Sequence, residues 1–214
     1  MEQQMTLDQF ITVGKIKTRF WQIGDHGSPL LLIHGIGVAM EWYSENIDTL
    51  AAHHRLYLVE LPGHGRTDKP QAAYTLDYYA DFVERFMQTV GLEHAAVLGH
   101  SLGGGVALRL AFTYPQRETK LILMASAALG KEIAFPFRLA TLPWIGEVLT
   151  RPSAFNANTT LKNVFHDPAK IPRHFRDVLL RYGMQPGAHA AILATLRSGV
   201  NFWGVRQEVL ASTS

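Results

Sequence analysis

The 214 residues are enough for one domain with room for an insertion, and at 47% hydrophobic and 18% charged the chain is not too polar to fold. A net charge of +2 gives no support to a nucleic-acid partner. The absence of cysteine excludes disulfides and thiolate metal sites and suits a reducing, cytoplasmic setting.

The start, Met1-Glu2-Gln3-Gln4-Met5, has neither the basic nor the apolar region of a signal peptide. No apolar run approaches the ~20 residues of a membrane span, so no membrane partner is expected. Residues 1–129 hold 10 Lys and Arg against 13 Asp and Glu, whereas residues 130–214 hold 10 against 5. That shift coincides with a change of pattern.

In chain order, Phe10–Val13 and Ile16–Ile23 flank Gly14-Lys15 and read as a β-hairpin. Leu30–Ile33, Leu56–Val59, Ala95–Leu98 and Leu121–Met124 are continuous apolar runs, the mark of strands buried on both faces. Between them, Leu76, Tyr79, Val83, Phe86 and Val90 recur at helical spacing from a Thr75 cap to a stop at Gly91. Strands alternating with helices predict an α/β fold, a mostly parallel sheet with helices on both faces. After Ala128 the strand pattern ends. Residues 130–205 carry Pro and Gly breaks and short helical stretches, one with Pro172 at its first position and one over 188–198. The expected division is a core over 1–129, a helical cap over 130–205, and the start of a return to the core over 206–214.

Chemistry concentrates first at Gly99-His100-Ser101-Leu102-Gly103, directly after an apolar strand and directly before a helical pattern. A serine at such a turn must project its hydroxyl from the sheet, and only glycine leaves room two residues to either side. Gly104 and Gly105 extend the small-residue run, letting the helix approach the sheet. The second signal, His34-Gly35-Ile36-Gly37, follows another buried strand. A loop there can aim a backbone N–H at a developing oxyanion, paired with the N–H of Leu102. His34 itself reads as a structural histidine. His53-His54 reads as a helix end, and no third ligand at suitable spacing supports a metal.

With Leu61-Pro-Gly-His-Gly-Arg-Thr-Asp-Lys-Pro70 between the two motifs, the chain resembles the α/β-hydrolase superfamily from residue 9 to 214. The likeness is to its capped esterase, meta-cleavage-product hydrolase and haloperoxidase-like branch. The resemblance implies Ser101 as nucleophile, backbone N–H groups of Ile36 and Leu102 as the oxyanion hole, no cofactor, and a small ester-like substrate. Meta-cleavage hydrolases often show HGxGPG. This chain continues Gly37-Val38-Ala39, which puts a carboxylic ester ahead of a C–C bond.

The family's acid follows the seventh strand and its histidine the eighth, and neither is found before Ser214. The expectation is therefore a chain truncated at its C-terminal side, with the last two strands absent and catalysis impaired. Ser126-Ala127-Ala128 has no carboxylate until Glu132, and His166, His174 and His189 read as solvated cap surface. A second reading is a non-catalytic remnant that binds a small ligand. Either way the sixth strand is expected at a sheet edge, leaving the chain poorly soluble or a homo-oligomer joined there.

Overall fold

The computed structural model describes residues 7–129 and 135–198. Six strands form one sheet: β1 (Gln9–Val13), β2 (Ile16–Ile23), β3 (Ser28–Ile33), β4 (His54–Val59), β5 (Ala95–His100) and β6 (Glu118–Met124), in the order β1-β2-β4-β3-β5-β6. β1 pairs with β2 and β2 with β4 antiparallel, and the pairs β4–β3, β3–β5 and β5–β6 are parallel. This is the α/β architecture anticipated from the alternating pattern, a mostly parallel sheet, and it agrees with the α/β-hydrolase fold that the resemblance implies.

The apolar runs of β3, β4 and β5 are buried on both faces because each face has its own cover. Leu121–Met124 of β6, expected to be buried likewise, is instead half-exposed because the strand lies at the sheet edge. Leu31, Ile33, Tyr57, Val59 and Val97 share one cluster with side chains of α2 (Leu76–Thr89) and α3 (Leu102–Thr113). The alternate residues Leu30, Leu32, Leu56, Leu58 and Leu98 pack on the opposite face with Trp21, Met40, Tyr43 and Ile47, the last from α1 (Ile47–Ala51). Successive residues thus enter different cores, as the period of two in a strand requires. α2 begins where its cap was placed, with the Thr75 side chain accepting the N–H of Tyr78.

β6 lies at the edge of the sheet, and Ile122 and Met124 are 41% and 46% exposed. Beyond it the described chain is helical: α4 (Phe135–Ala140), α5 (Ile145–Leu149), α6 (Ala154–Val164), α7 (Arg173–Gly183) and α8 (Ala188–Ser198). Pro172 is not the first residue of α7, as the pattern predicted, but its cap, because a ψ of 131° keeps it extended and the helix starts at Arg173. Glu132 and residues 206–214 lie outside the described residues.

Candidate active site

The sheet order itself marks a location. From β3 the chain crosses to β4 on one side, then to β5 on the other, so the connections leaving the ends of β3 and β5 part in opposite directions. In open α/β sheets the crevice at such a switch point, outside the carboxyl ends of the strands, takes the ligand. Here those ends are His34-Gly35-Ile36-Gly37 and His100-Ser101.

Ser101 sits in the turn between β5 and α3 with φ 53° and ψ −115°. This is a backbone region that costs a non-glycine residue roughly 1–3 kcal/mol, so the surroundings must hold it. They do so through its peptide groups. The Ser101 N–H donates to the carbonyl of Met124 at 3.0 Å. Its carbonyl accepts from Gly104, Gly105 and Ala127 at 3.0, 3.2 and 2.9 Å. The turn is also too tight for side chains. A Cβ on Gly99 would collide with the backbone of Gly103, and one on Gly103 with the carbonyl oxygens of Ile33 and His34.

The two motifs meet. A Cβ built on Gly35 would lie 3.0 Å from His100 Nδ1 and 3.2 Å from Ser101 Cβ, so the loop after β3 runs against the turn. Gly37 adopts φ 69°, and Ile36 is half-buried between these two glycines. Leu102 is the first residue of α3, where a backbone N–H has no acceptor within its own helix.

His34 fixes the loop from beneath. Its Nε2 accepts the N–H of Leu61 at 3.0 Å, so Nδ1 carries the proton and donates to the Gly35 carbonyl at 2.8 Å. Burial pushes it down to about 4, and burial pushes the neighbouring His64 down to about 3. Both are neutral at pH 7.

Of the three cap histidines expected at the surface, only His166 is exposed. His174 and His189 are half-buried rather than solvated, because each bridges two elements. His174 Nε2 meets Ser44 Oγ at 3.1 Å and His189 Nε2 meets Thr150 Oγ1 at 2.8 Å. Among the described residues no histidine is hydrogen-bonded to Ser101, and no cluster of His, Cys, Asp and Glu could hold a metal.

Sequence reasoning missed an aromatic stack beside the turn. Trp42 lies over His100 with centroids 5.7 Å apart and over Phe175 at 4.9 Å, and Phe165 closes on its edge at 5.9 Å. It also missed a buried guanidinium, Arg19, on β2. The alternation of β2 held that signal: Arg19 falls on the same strand face as Trp21, an inward one.

The model of the alpha/beta hydrolase fold family matches residues 28–185. The dihydrolipoyllysine-residue acetyltransferase component of the acetoin cleaving system of Cupriavidus necator is 33% identical over 199 residues, 93% of this chain and 51% of that protein. The 2-hydroxy-6-oxo-6-(2'-aminophenyl)hexa-2,4-dienoic acid hydrolase of Metapseudomonas resinovorans is 28% identical over 89% of this chain and 64% of its own length. This chain therefore spans about half to two-thirds of the length of these two relatives. Wild-type Cfl2 of Burkholderia cenocepacia shares the fold with a TM-score of 0.86 at 21% identity, over 97% of this chain and 75% of that one. Because the family match covers β3 to β6, both motifs and most of the helical segment, the chain belongs to the α/β-hydrolase family.

Proposed function

We propose that the chain carries the nucleophile half of a serine hydrolase site acting on a carboxylic ester, with residues 130–205 as a cap over it. The observation that carries this reading is the strained main chain of Ser101 at the switch point, held by four backbone hydrogen bonds. Such strain persists where a reactive side chain must be presented. In the proposed reaction Ser101 Oγ attacks the ester carbonyl as its proton passes to a base. The carbonyl oxygen becomes an oxyanion and receives the N–H groups of Ile36 and Leu102. Collapse expels the alcohol, which takes back the proton, and water then releases the acid from the acyl-serine. This scheme uses no cofactor. The aromatic rings beside Ser101 support an apolar acyl group rather than a charged one.

None of the described histidines is hydrogen-bonded to Ser101, and its neighbour His100 is half-buried and stacked on Trp42, so the 214-residue chain is expected to turn over activated esters slowly at most. Removing the base of a serine hydrolase costs on the order of 10⁶ in kcat. A fluorophosphonate probe tests the nucleophile without requiring turnover. In a version of the protein that supplies the base it should label Ser101, and Ser101→Ala should abolish both labelling and hydrolysis of short p-nitrophenyl esters. Labelling at another serine, unchanged in the variant, overturns the assignment.

Cleavage of a C–C bond is the second reading, favoured by the relative named for that chemistry. Against it stands Gly37-Val38-Ala39 where the resemblance would place Gly-Pro-Gly. Faster decay of a dienoate chromophore than of matched esters would reverse the order. A chain that binds small esters but leaves Ser101 unlabelled would be the non-catalytic alternative.

A further inference from the structure

The turn Met40–Tyr43 starts three residues after Gly37 and is the direct continuation of the loop that faces Ser101. Two adjacent residues on it reach α7 in different ways. Glu41 enters a buried ion cluster, where its Oε1 accepts from Tyr182 Oη at 2.6 Å and from Arg19 Nη2 at 2.8 Å. Trp42 stacks on Phe175 at 4.9 Å with the planes 23° apart, and its ring also lies over His100.

The cluster has reason to capture a phenol. Arg19, 1% exposed, donates Nη1 to Glu60 Oε1 at 2.9 Å and to Tyr182 Oη at 3.1 Å, and Nε to Asp8 at 2.5 Å. Arg66 also pairs with Asp8, so three carboxylates meet two guanidiniums. One carboxylate is in excess, and burying it needs neutral donors. The N–H groups of Arg66 and Thr67 serve Glu60, and the Tyr182 hydroxyl serves Glu41. Burial and the Glu41 charge both raise the Tyr182 pKa, so the hydroxyl keeps its proton.

On α7, Phe175, Val178 and Tyr182 are the buried residues, spaced three and four apart along one face. Phe175 and Tyr182 are therefore two turns apart, roughly 10 Å. Glu41 takes one end of that face and Trp42 the other.

We propose that Glu41 and Trp42 form a clamp and that Tyr182 is a positioning residue, fixing α7 over the candidate active site and thereby setting the His100–Ser101 turn against the Gly35–Gly37 loop. Tyr182 touches no reacting atom. Its effect on the site runs through α7, Phe175, Trp42 and His100 in turn.

The test is Tyr182→Phe in the full chain, which removes one oxygen and keeps the ring. Hydrogen exchange of α7 amides should accelerate on the order of tenfold while amides of β3 and β5 stay at wild-type rates. In a version of the protein that supplies the base, the rate of fluorophosphonate labelling at Ser101 should fall by a similar factor. Trp42→Ala should reproduce both effects and Trp42→Phe should restore them, since a ring remains to stack. The labelling arm rests on Ser101 as nucleophile and the exchange arm does not. If the wild type fails to label Ser101, the nucleophile reading falls and exchange alone decides the clamp. Unchanged α7 exchange, or acceleration spread evenly over the sheet, overturns the clamp. Faster α7 exchange with unaltered labelling overturns its link to the site.

Discussion

The sheet and the helices that follow it use apolar side chains differently. Leu30–Ile33 of β3 and Leu56–Val59 of β4 are buried on every side, because α2 and α3 cover one face and α1 with Met40 and Tyr43 the other. In the helical segment Trp144, Phe155 and Val148 are 85%, 77% and 70% exposed. Helices of five or six residues such as α4 and α5 are too short to hold themselves and present little surface to one core. The segment is instead held at particular points, including the Glu41–Tyr182 bond, Lys69 Nζ to Gln185 at 3.0 Å, and Tyr79 Oη to Thr195 at 2.9 Å. A packed sheet distributes its stability over many contacts; a docked layer concentrates its stability in a few.

The sharpest way to break this comparison is to delete equivalent apolar volume from each region. Leu32→Ala, at the centre of β3, should cost roughly 2–5 kcal/mol in urea unfolding. Val148→Ala, on the exposed side of α5, should stay within about 0.5 kcal/mol. Equal losses would mean that the helical segment is packed as densely as the sheet.

Acid should reach the core through its buried histidines. His34 and His64 are held at about 4 and about 3 against 6.5, so their contribution is present above pH 6.5 and is lost as pH falls toward those values. Each group contributes a slope of about 1.4 kcal/mol per pH unit between pH 6.5 and 4.5. Glu60 acts in the opposite sense. Burial raises it to about 7 despite Arg19, so its contribution is present below 4.5 and fades as pH rises through 7. Burial raises Glu118 to about 8, which acts in the same sense as Glu60, so between pH 4.5 and 6.5 two slopes in each direction largely cancel. His64→Gln should tilt the profile by about 1.4 kcal/mol per unit, so that stability rises on acidification in this window, and an unchanged profile in that variant would show that His64 is not held neutral in the fold.

The smallest change in stability is expected at the sheet edge. Ile122→Lys places a charge on a half-exposed position of β6 and should alter unfolding by less than about 0.5 kcal/mol. Its effect should appear in sedimentation, where the 214-residue chain is expected to self-associate and the variant to run as a monomer. A monomeric parent chain would remove the edge as a contact surface.

What could be read without the structure followed from local rules. Leu30–Ile33 announced a strand covered on both faces, and the Thr75 cap with its Gly91 stop bounded α2. Gly99–Gly103 announced a strained turn because glycine spacing records close approach directly. The clamp was not legible in the same way. Glu41 and Tyr182 are 141 residues apart, and β2 brings Arg19 into hydrogen bonds with both. Trp42 had no periodic partner at all, and its stack joins three separate stretches of chain. The half-buried places of His174 and His189 depended likewise on hydroxyls contributed by distant elements, Ser44 and Thr150.

The bonds that hold Ser101 in its costly conformation lead to β6. Met124, the last residue of that strand, accepts the Ser101 N–H, and Ala127 just beyond it donates to the Ser101 carbonyl. The strand with the free side is thus also the one against which the reactive turn is braced. Stiffness at the candidate nucleophile is borrowed from the sheet margin, so fraying of β6 would slacken the turn.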